Sequence, residues 1–237
     1  MKSTRFIGNA ANRNSGVYNL SEINSKIQDQ TYPTNYEIEN SCRFDGSGYL
    51  QSTFGSPTNN NIWTFSFWFK DTALNNGFVA IMEGYTGSSD QYTTVALSGN
   101  KIRLTQDEGS GGTIIQDSLN ILRDSSSWYN VVVLFDNTSS STLPELYKIF
   151  VNGIDRTSTN TTISTETPYI NANGRSVKIS GRWLNAPTQT VNGYLANVHF
   201  IDGQALDPTH FAHEHPSTGR WSPKRYQGTY GNNGFHL

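Results

Sequence analysis

One cysteine, Cys42, is present in the 237-residue chain. A single thiol forms no internal disulfide and no cysteine-based metal knot, so packing and backbone pairing must hold the fold together. Cys42 itself is expected as a small buried strand residue. Charge is also scarce: Asp, Glu, Lys and Arg make up 15%, against about 25% in an average soluble domain. With a net charge of −2 and no cluster of Lys or Arg, the chain lacks the electrostatic footprint of a nucleic-acid binder. Glu, Lys, Ala and Leu, the residues of exposed helices, are few, which argues against a helical bundle or a doubly wound α/β enzyme. No apolar run approaches the length of a membrane span. Residues 1–9 are basic, but no apolar segment follows them, so no secretory signal is expected.

Ser, Thr, Asn and Gly fill the space those residues leave, at about two fifths of the chain. Five Trp, twelve Tyr and twelve Phe supply the buryable surface that a disordered polar chain would lack. Residues 1–41 read as an arm, with one short helical stripe at Leu20, Ile23 and Ile27 that ends at Tyr32-Pro33. From Cys42 the period becomes two. Trp63, Phe65, Phe67 and Phe69 fall on one face of a strand, and Thr64 and Ser66 on the other. Further strands are expected over 77–82, 93–98, 101–105, 128–136, 146–151, 176–180 and 193–202. In the last of these, Tyr194, Ala196, Val198 and Phe200 alternate with Leu195, Asn197, His199 and Ile201. The pairs Asn76-Gly77, Asn152-Gly153, Asn173-Gly174 and Asn192-Gly193 are expected as turns with positive φ. Short strands separated by such breakers define an all-β antiparallel jelly-roll sandwich over 42–206, preceded by the arm, which is expected to dock on the domain or a neighbouring subunit, and followed by a tail, 207–237, expected to pack on the domain or a neighbour.

An ordered set of segments carries a family resemblance. These are Phe44-Asp45-Gly46-Ser47-Gly48-Tyr49-Leu50, the aromatic strand from Trp63, Trp128-Tyr129-Asn130-Val131-Val132-Val133, Lys148-Ile149-Phe150-Val151-Asn152-Gly153, and Gly193-Tyr194-Leu195-Ala196-Asn197-Val198-His199-Phe200. Together they resemble the concanavalin A-like lectin/glucanase superfamily, in particular its laminin-G-like jelly rolls. The tail, with Asp202-Gly203-Gln204-Ala205-Leu206-Asp207-Pro208, Trp221-Ser222-Pro223 and Tyr226-Gln227-Gly228-Thr229-Tyr230, resembles the tails of such modules in virion proteins of marine bacteriophages. That resemblance implies a non-catalytic virion structural protein, either a capsid decoration, a fibre or a tail component. It would be made in the host cytoplasm, partnered by other virion proteins and assembled as a homo-oligomer, with a trimer favoured, and its surface would recognise a host glycan. A free carbohydrate-binding lectin-like module is the alternative, followed by a glycoside hydrolase.

For hydrolysis, two carboxyl groups must share one face of a cleft. The superfamily's Glu-x-Asp-x-x-Glu string is missing, Glu37-Ile38-Glu39 lies in the arm, and Asp107-Glu108 are adjacent and point opposite ways when extended. For sugar binding, Tyr85 and Tyr92 flank a polar loop containing Asp90, and Trp183 stands between two strands; aromatic rings stack on sugars while polar groups satisfy hydroxyls. Calcium, common at loop edges in the superfamily, has candidate ligands in Asp90 and Asp136-Asn137. His210, His213 and His215 present imidazoles that suit Zn²⁺ or Ni²⁺, or else line a solvated loop bracketed by Pro208 and Pro216. His199 reads as a hydrogen-bonded residue of the sandwich.

Overall fold

The computed structural model describes residues 21, 36–72, 77–87, 91–109, 113–119, 122–138, 146–158, 168–182, 189–215 and 218–237. Residues 38–237 form one compact unit. The stripe Leu20, Ile23 and Ile27 lies outside the described residues.

Two antiparallel sheets make the sandwich. In one, β1 (Cys42–Asp45), β12 (Asn192–Asp202), β3 (Ile62–Asp71), β8 (Tyr129–Asp136), β9 (Tyr147–Val151) and β10 (Ile154–Asp155) lie in that order, and β15 (Phe235–His236) also pairs with β12. In the other, the order is β2 (Leu50–Thr53), β11 (Ser176–Ile179), β4 (Phe78–Tyr85), β5 (Gln91–Ser98), β6 (Lys101–Glu108) and β7 (Thr113–Asp117). Strands adjacent in the sheet are often far apart in the chain, which is the signature of a jelly roll rather than a meander. Among the described residues no helix is long and apolar enough to cross a membrane.

The core fills the space between the inner faces. Trp63, Phe65, Phe67 and Phe69 of β3 meet Val131, Val133 and Phe135 of β8, and across the gap Ile81, Val95, Leu97, Ile102 and Leu104 of the second sheet. The period of two in β3 therefore sorts its residues as expected. On its other face Ser66 and Trp68 are buried too, at 1% and 6% exposure. Residues 207–215 and 218–237 cover them. A hairpin of β13 (Ala212–Glu214) and β14 (Trp221–Pro223) brings Ala212 and Trp221 against Trp68 and Ala196. Phe211, Tyr226 and Tyr230 pack on Val132 and Ile201. The outer face of the first sheet is thus closed by a second apolar layer, and that of the second sheet is left for the site below.

Three sequence expectations are corrected. Cys42 is exposed, because β1 is an edge strand paired only with β12. The strict alternation of β12 fails at a bulge between Ala196 and His199, where Asn197 adopts φ 47°. Leu195, Val198 and Phe200 consequently share the core, while Ala196 and Ile201 serve the outer layer. Asn192-Gly193 is not a turn but the start of β12. A Cβ at Gly193 would stand 2.4 Å from the carbonyl oxygen of Lys70, so glycine is kept there for close strand approach. Asn152-Gly153, by contrast, is the tight turn between β9 and β10, with φ 49° and 79°.

Candidate functional site

Outward positions of the second sheet alternate with its core residues, and register decides which of them meet. Tyr85 at the end of β4 pairs directly with Tyr92 at the start of β5, Glu83 with Thr94, and Phe78 with Ser98. On the other side of β4, Lys178 of β11 pairs with Glu83. Beyond β5, Asp107 of β6 pairs with Tyr92. These residues form one continuous strip across the face. Tyr85 and Tyr92 are half-buried, so each ring keeps accessible surface while its root is fixed in a strand.

Arg182 organises the strip. Its Nε donates to Glu83 Oε2 at 3.1 Å, and its Nη1 donates to Gln189 Oε1 at 3.2 Å. The guanidinium lies over the Tyr92 ring at 4.6 Å and the Phe78 ring at 5.1 Å, a cation–π arrangement that a planar, weakly hydrated cation favours. The Thr94 hydroxyl also donates to Glu83 Oε2, at 2.7 Å. Glu83 has no exposed surface, so this carboxylate is satisfied wholly by protein groups. Lys178, 4% exposed, places its ammonium 4.1 Å from the centre of the Tyr49 ring. Burial pushes the Lys178 amine down, opposed by the charge of Glu83. Burial pushes the Tyr92 phenol up, with Arg182 countering and Asp107 and Glu83 adding to the rise.

Backbone hydrogen bonds fix the residues beside Arg182 and its partner Gln189 to β4. Ser180 N–H donates to Ile81 O at 2.8 Å, and Ala80 N–H donates to Gln189 O at 2.9 Å. Below the tyrosine pair, Tyr169 N–H donates to the Thr93 hydroxyl at 2.9 Å, closing the sandwich under the site. Asp202 locks that closure. Its carboxylate accepts from the backbone N–H groups of Thr58, Asn59 and Asn233 and from Asn171 Nδ2; burial pushes it up, and these bonds together outweigh burial and hold it below its usual range.

Of the sequence candidates for sugar binding, Tyr85 and Tyr92 are brought together. Asp90 and Trp183 lie outside the described residues. The histidines are not gathered into a ligand set. His210 turns back on its own 3-10 turn, with Nδ1 3.2 Å from Asp207 O and 3.7 Å from Asp207 Oδ1. His213 and His215 stay on and just after β13, where burial first, and then the charges of His215 and Lys224, push the His213 ring down. Among the described residues no group of three or more His, Cys, Asp or Glu is placed to hold a metal ion. Asp136 caps its own turn, accepting from Thr138 N–H at 2.8 Å. Sequence reading missed Glu83, Arg182, Lys178 and Phe78. Its available signals were a lone carboxylate in the apolar run Phe78–Tyr85 and an arginine directly before Trp183.

A family model, the concanavalin A-like lectin/glucanases superfamily, matches residues 44–210. The chain belongs to that superfamily. Among solved structures it is similar to domains LG4-5 of the mouse laminin alpha1 chain, with TM-score 0.51 and 10% identity, over 85% of this chain and 48% of that one. It is also similar to the CBM40 of the Ruminococcus gnavus IT-sialidase, with TM-score 0.48 and 14% identity, over 68% and 95% of the two chains. A third is the native heptameric SAP-like pentraxin from Limulus polyphemus, with TM-score 0.47 and 13% identity, over 70% and 77%. A search of curated protein sequences gives no match.

Proposed function

We propose that the chain is a non-catalytic glycan-recognition module whose binding surface is the outer face of the second sheet. The carrying observation is the cross-strand pair Tyr85 and Tyr92, with Arg182 stacked on Tyr92 and fixed by buried Glu83. Aromatic faces meet the C–H faces of a pyranose while the guanidinium, Gln189 and Asp107 address hydroxyls. Because strands and an ion pair hold these groups in place, little ordering cost falls on binding. On the opposite face Phe211, Ala212, Trp221, Tyr226 and Tyr230 occupy the apolar surface, which favours the second sheet as the binding face.

The carboxylates of the strip support the non-catalytic reading. Glu83 is engaged by Arg182 and Thr94, Asp117 by Arg103 at 2.6 Å, and Asp107 accepts from Gly109 N–H. Each is therefore engaged by a protein donor rather than paired with a second carboxylate across a cleft, the arrangement glycoside cleavage needs. On the sequence resemblance of the tail, the module is assigned to a virion surface, as a homotrimer whose repetition would convert weak single-site affinity into avidity.

A glycan array read with and without chelator, followed by titration calorimetry on the best ligand, tests the proposal. Binding should persist in chelator, and Tyr92→Ala and Arg182→Ala should each weaken it at least about tenfold, as expected when a stacking or charge-assisted contact worth more than 1.4 kcal/mol is lost. An array without any bound glycan, or variants that bind like the parent, would overturn it. Release of reducing sugar from the bound glycan would restore the hydrolase reading. Failure to co-sediment with phage capsids or tails would remove the virion assignment.

A further inference from the structure

The last strand is held by unusually few contacts and by a pair of histidines. β15 contributes two ladder pairs, His199 with His236 and Phe200 with Phe235. Beyond them, Val198 and Leu237 exchange N–H to O bonds of 2.9 Å in both directions. The His199 and His236 rings lie 4.2 Å apart and 4° from parallel. His199 Nδ1 is 2.9 Å from the Tyr230 hydroxyl, and its Nε2 is buried without a hydrogen-bond partner. His236 Nε2 is 2.9 Å from Asn197 Oδ1, the side chain of the β12 bulge.

We infer that this stack is an acid-sensitive clasp: protonation of the facing imidazoles detaches β15 from β12 while the sandwich stays folded. Two neutral rings stack well, whereas two imidazolium rings at this separation repel, and a protonated His199 would bury an Nε2–H with nothing to accept it. The other titratable groups facing the pair are the Tyr230 and Tyr226 phenols, neutral under acid conditions. β3 presents Ser66 to His199. On β12 itself, the carboxylate of Asp202 is taken by Thr58, Asn59, Asn171 and Asn233. Among the described residues no carboxylate acts on either ring to favour its charged form.

Burial, with the charge of His236 second, pushes His199 down to about 3, and burial lowers His236 as well. A detached ring titrates near its ordinary value of 6.5, so release takes up protons as pH falls below that value. Detachment also withdraws Phe235 from Phe54 and Phe200, which opens the core at this edge.

Amide hydrogen exchange at pH 7 and pH 4.5, corrected for intrinsic rates, tests the clasp. Protection at Val198 and Leu237 should fall at least about tenfold at pH 4.5, while Val131 and Val133 keep theirs. The double substitution His199→Gln with His236→Phe, which leaves neither ring able to titrate, should abolish the pH dependence; His199→Gln with His236→Gln serves the same purpose if that variant does not fold. Unchanged protection at Val198 and Leu237, a loss shared with Val131 and Val133, or an equal loss in the non-titrating variant would each overturn the inference.

Discussion

Glu83 is a buried charge at the centre of an outward sheet face, and its environment explains why it is tolerated there. Two donors, Arg182 Nε and the Thr94 hydroxyl, reach one of its oxygens. Removing the carboxylate leaves a guanidinium that is 14% exposed without its counter-charge, so Glu83→Ala should cost about 3–5 kcal/mol, read from the shift in urea midpoint. Replacing Glu83 and Arg182 together by Leu should recover most of that loss, whereas an equally large loss would mean that the pair is not the source. This residue was hard to see in sequence because a lone outward carboxylate looks like any solvated strand position. What marks it is Arg182, 99 positions later in the chain. Tyr85 and Tyr92 were visible because the short polar loop between them implies a hairpin, and a hairpin sets opposite residues side by side.

At the scale of elements, β12 shows where period-two reasoning stops. It placed β12 correctly but assigned Val198 and Leu195 to different faces, and one bulge residue, Asn197, brings both into the core. No residue type announces a bulge as Asn-Gly announces a turn, and Asn192-Gly193 gave a turn signal where backbone proximity was the actual requirement. Gly193→Ala should therefore destabilise by about 2 kcal/mol or more, since the new methyl must push apart β12 and β3. A change within about 0.5 kcal/mol in thermal or urea unfolding would show that the strands can separate at little cost. The closing strand adds a dependence on pH. His199 is neutral in the fold and protonates in the unfolded chain below 6.5. Stability should accordingly fall as pH drops from about 6.5 toward 3, by about 2 kcal/mol at pH 5 from this ring alone. His199→Gln should flatten that slope in urea titrations run at several pH values.

For the whole molecule, the two outer faces differ in kind. One carries Trp68, Ala196, Val132 and Ile201 under the cover of residues 207–237, and the other carries the tyrosine and arginine strip. The sandwich class and its aromatic interior followed from composition and alternation, because inward and outward demands repeat every second residue. Which face the tail closes, and against which residues, did not, since Trp221, Tyr226 and Tyr230 sit in a segment without strand periodicity and their partners are distant in the chain. Truncation after Leu206 should expose that apolar face. The expected result is strong binding of an environment-sensitive dye together with a lowered unfolding midpoint or aggregation; a soluble, dye-negative product with the parent midpoint would show that the layer is dispensable.

The order of strands has a consequence in time as well as space. β3, the middle of its sheet, obtains one neighbour from β8, but the other from β12, whose pairing begins only when Gly193 can reach Asp71. On a ribosome adding roughly 5–20 residues per second, the aromatic strand waits on the order of ten seconds for that neighbour. During the wait its edge amides and carbonyls are available to any other extended chain nearby. The segments made during that wait are rich in Ser, Thr and Asn, which adds few apolar residues beside the open edge until its late partner emerges.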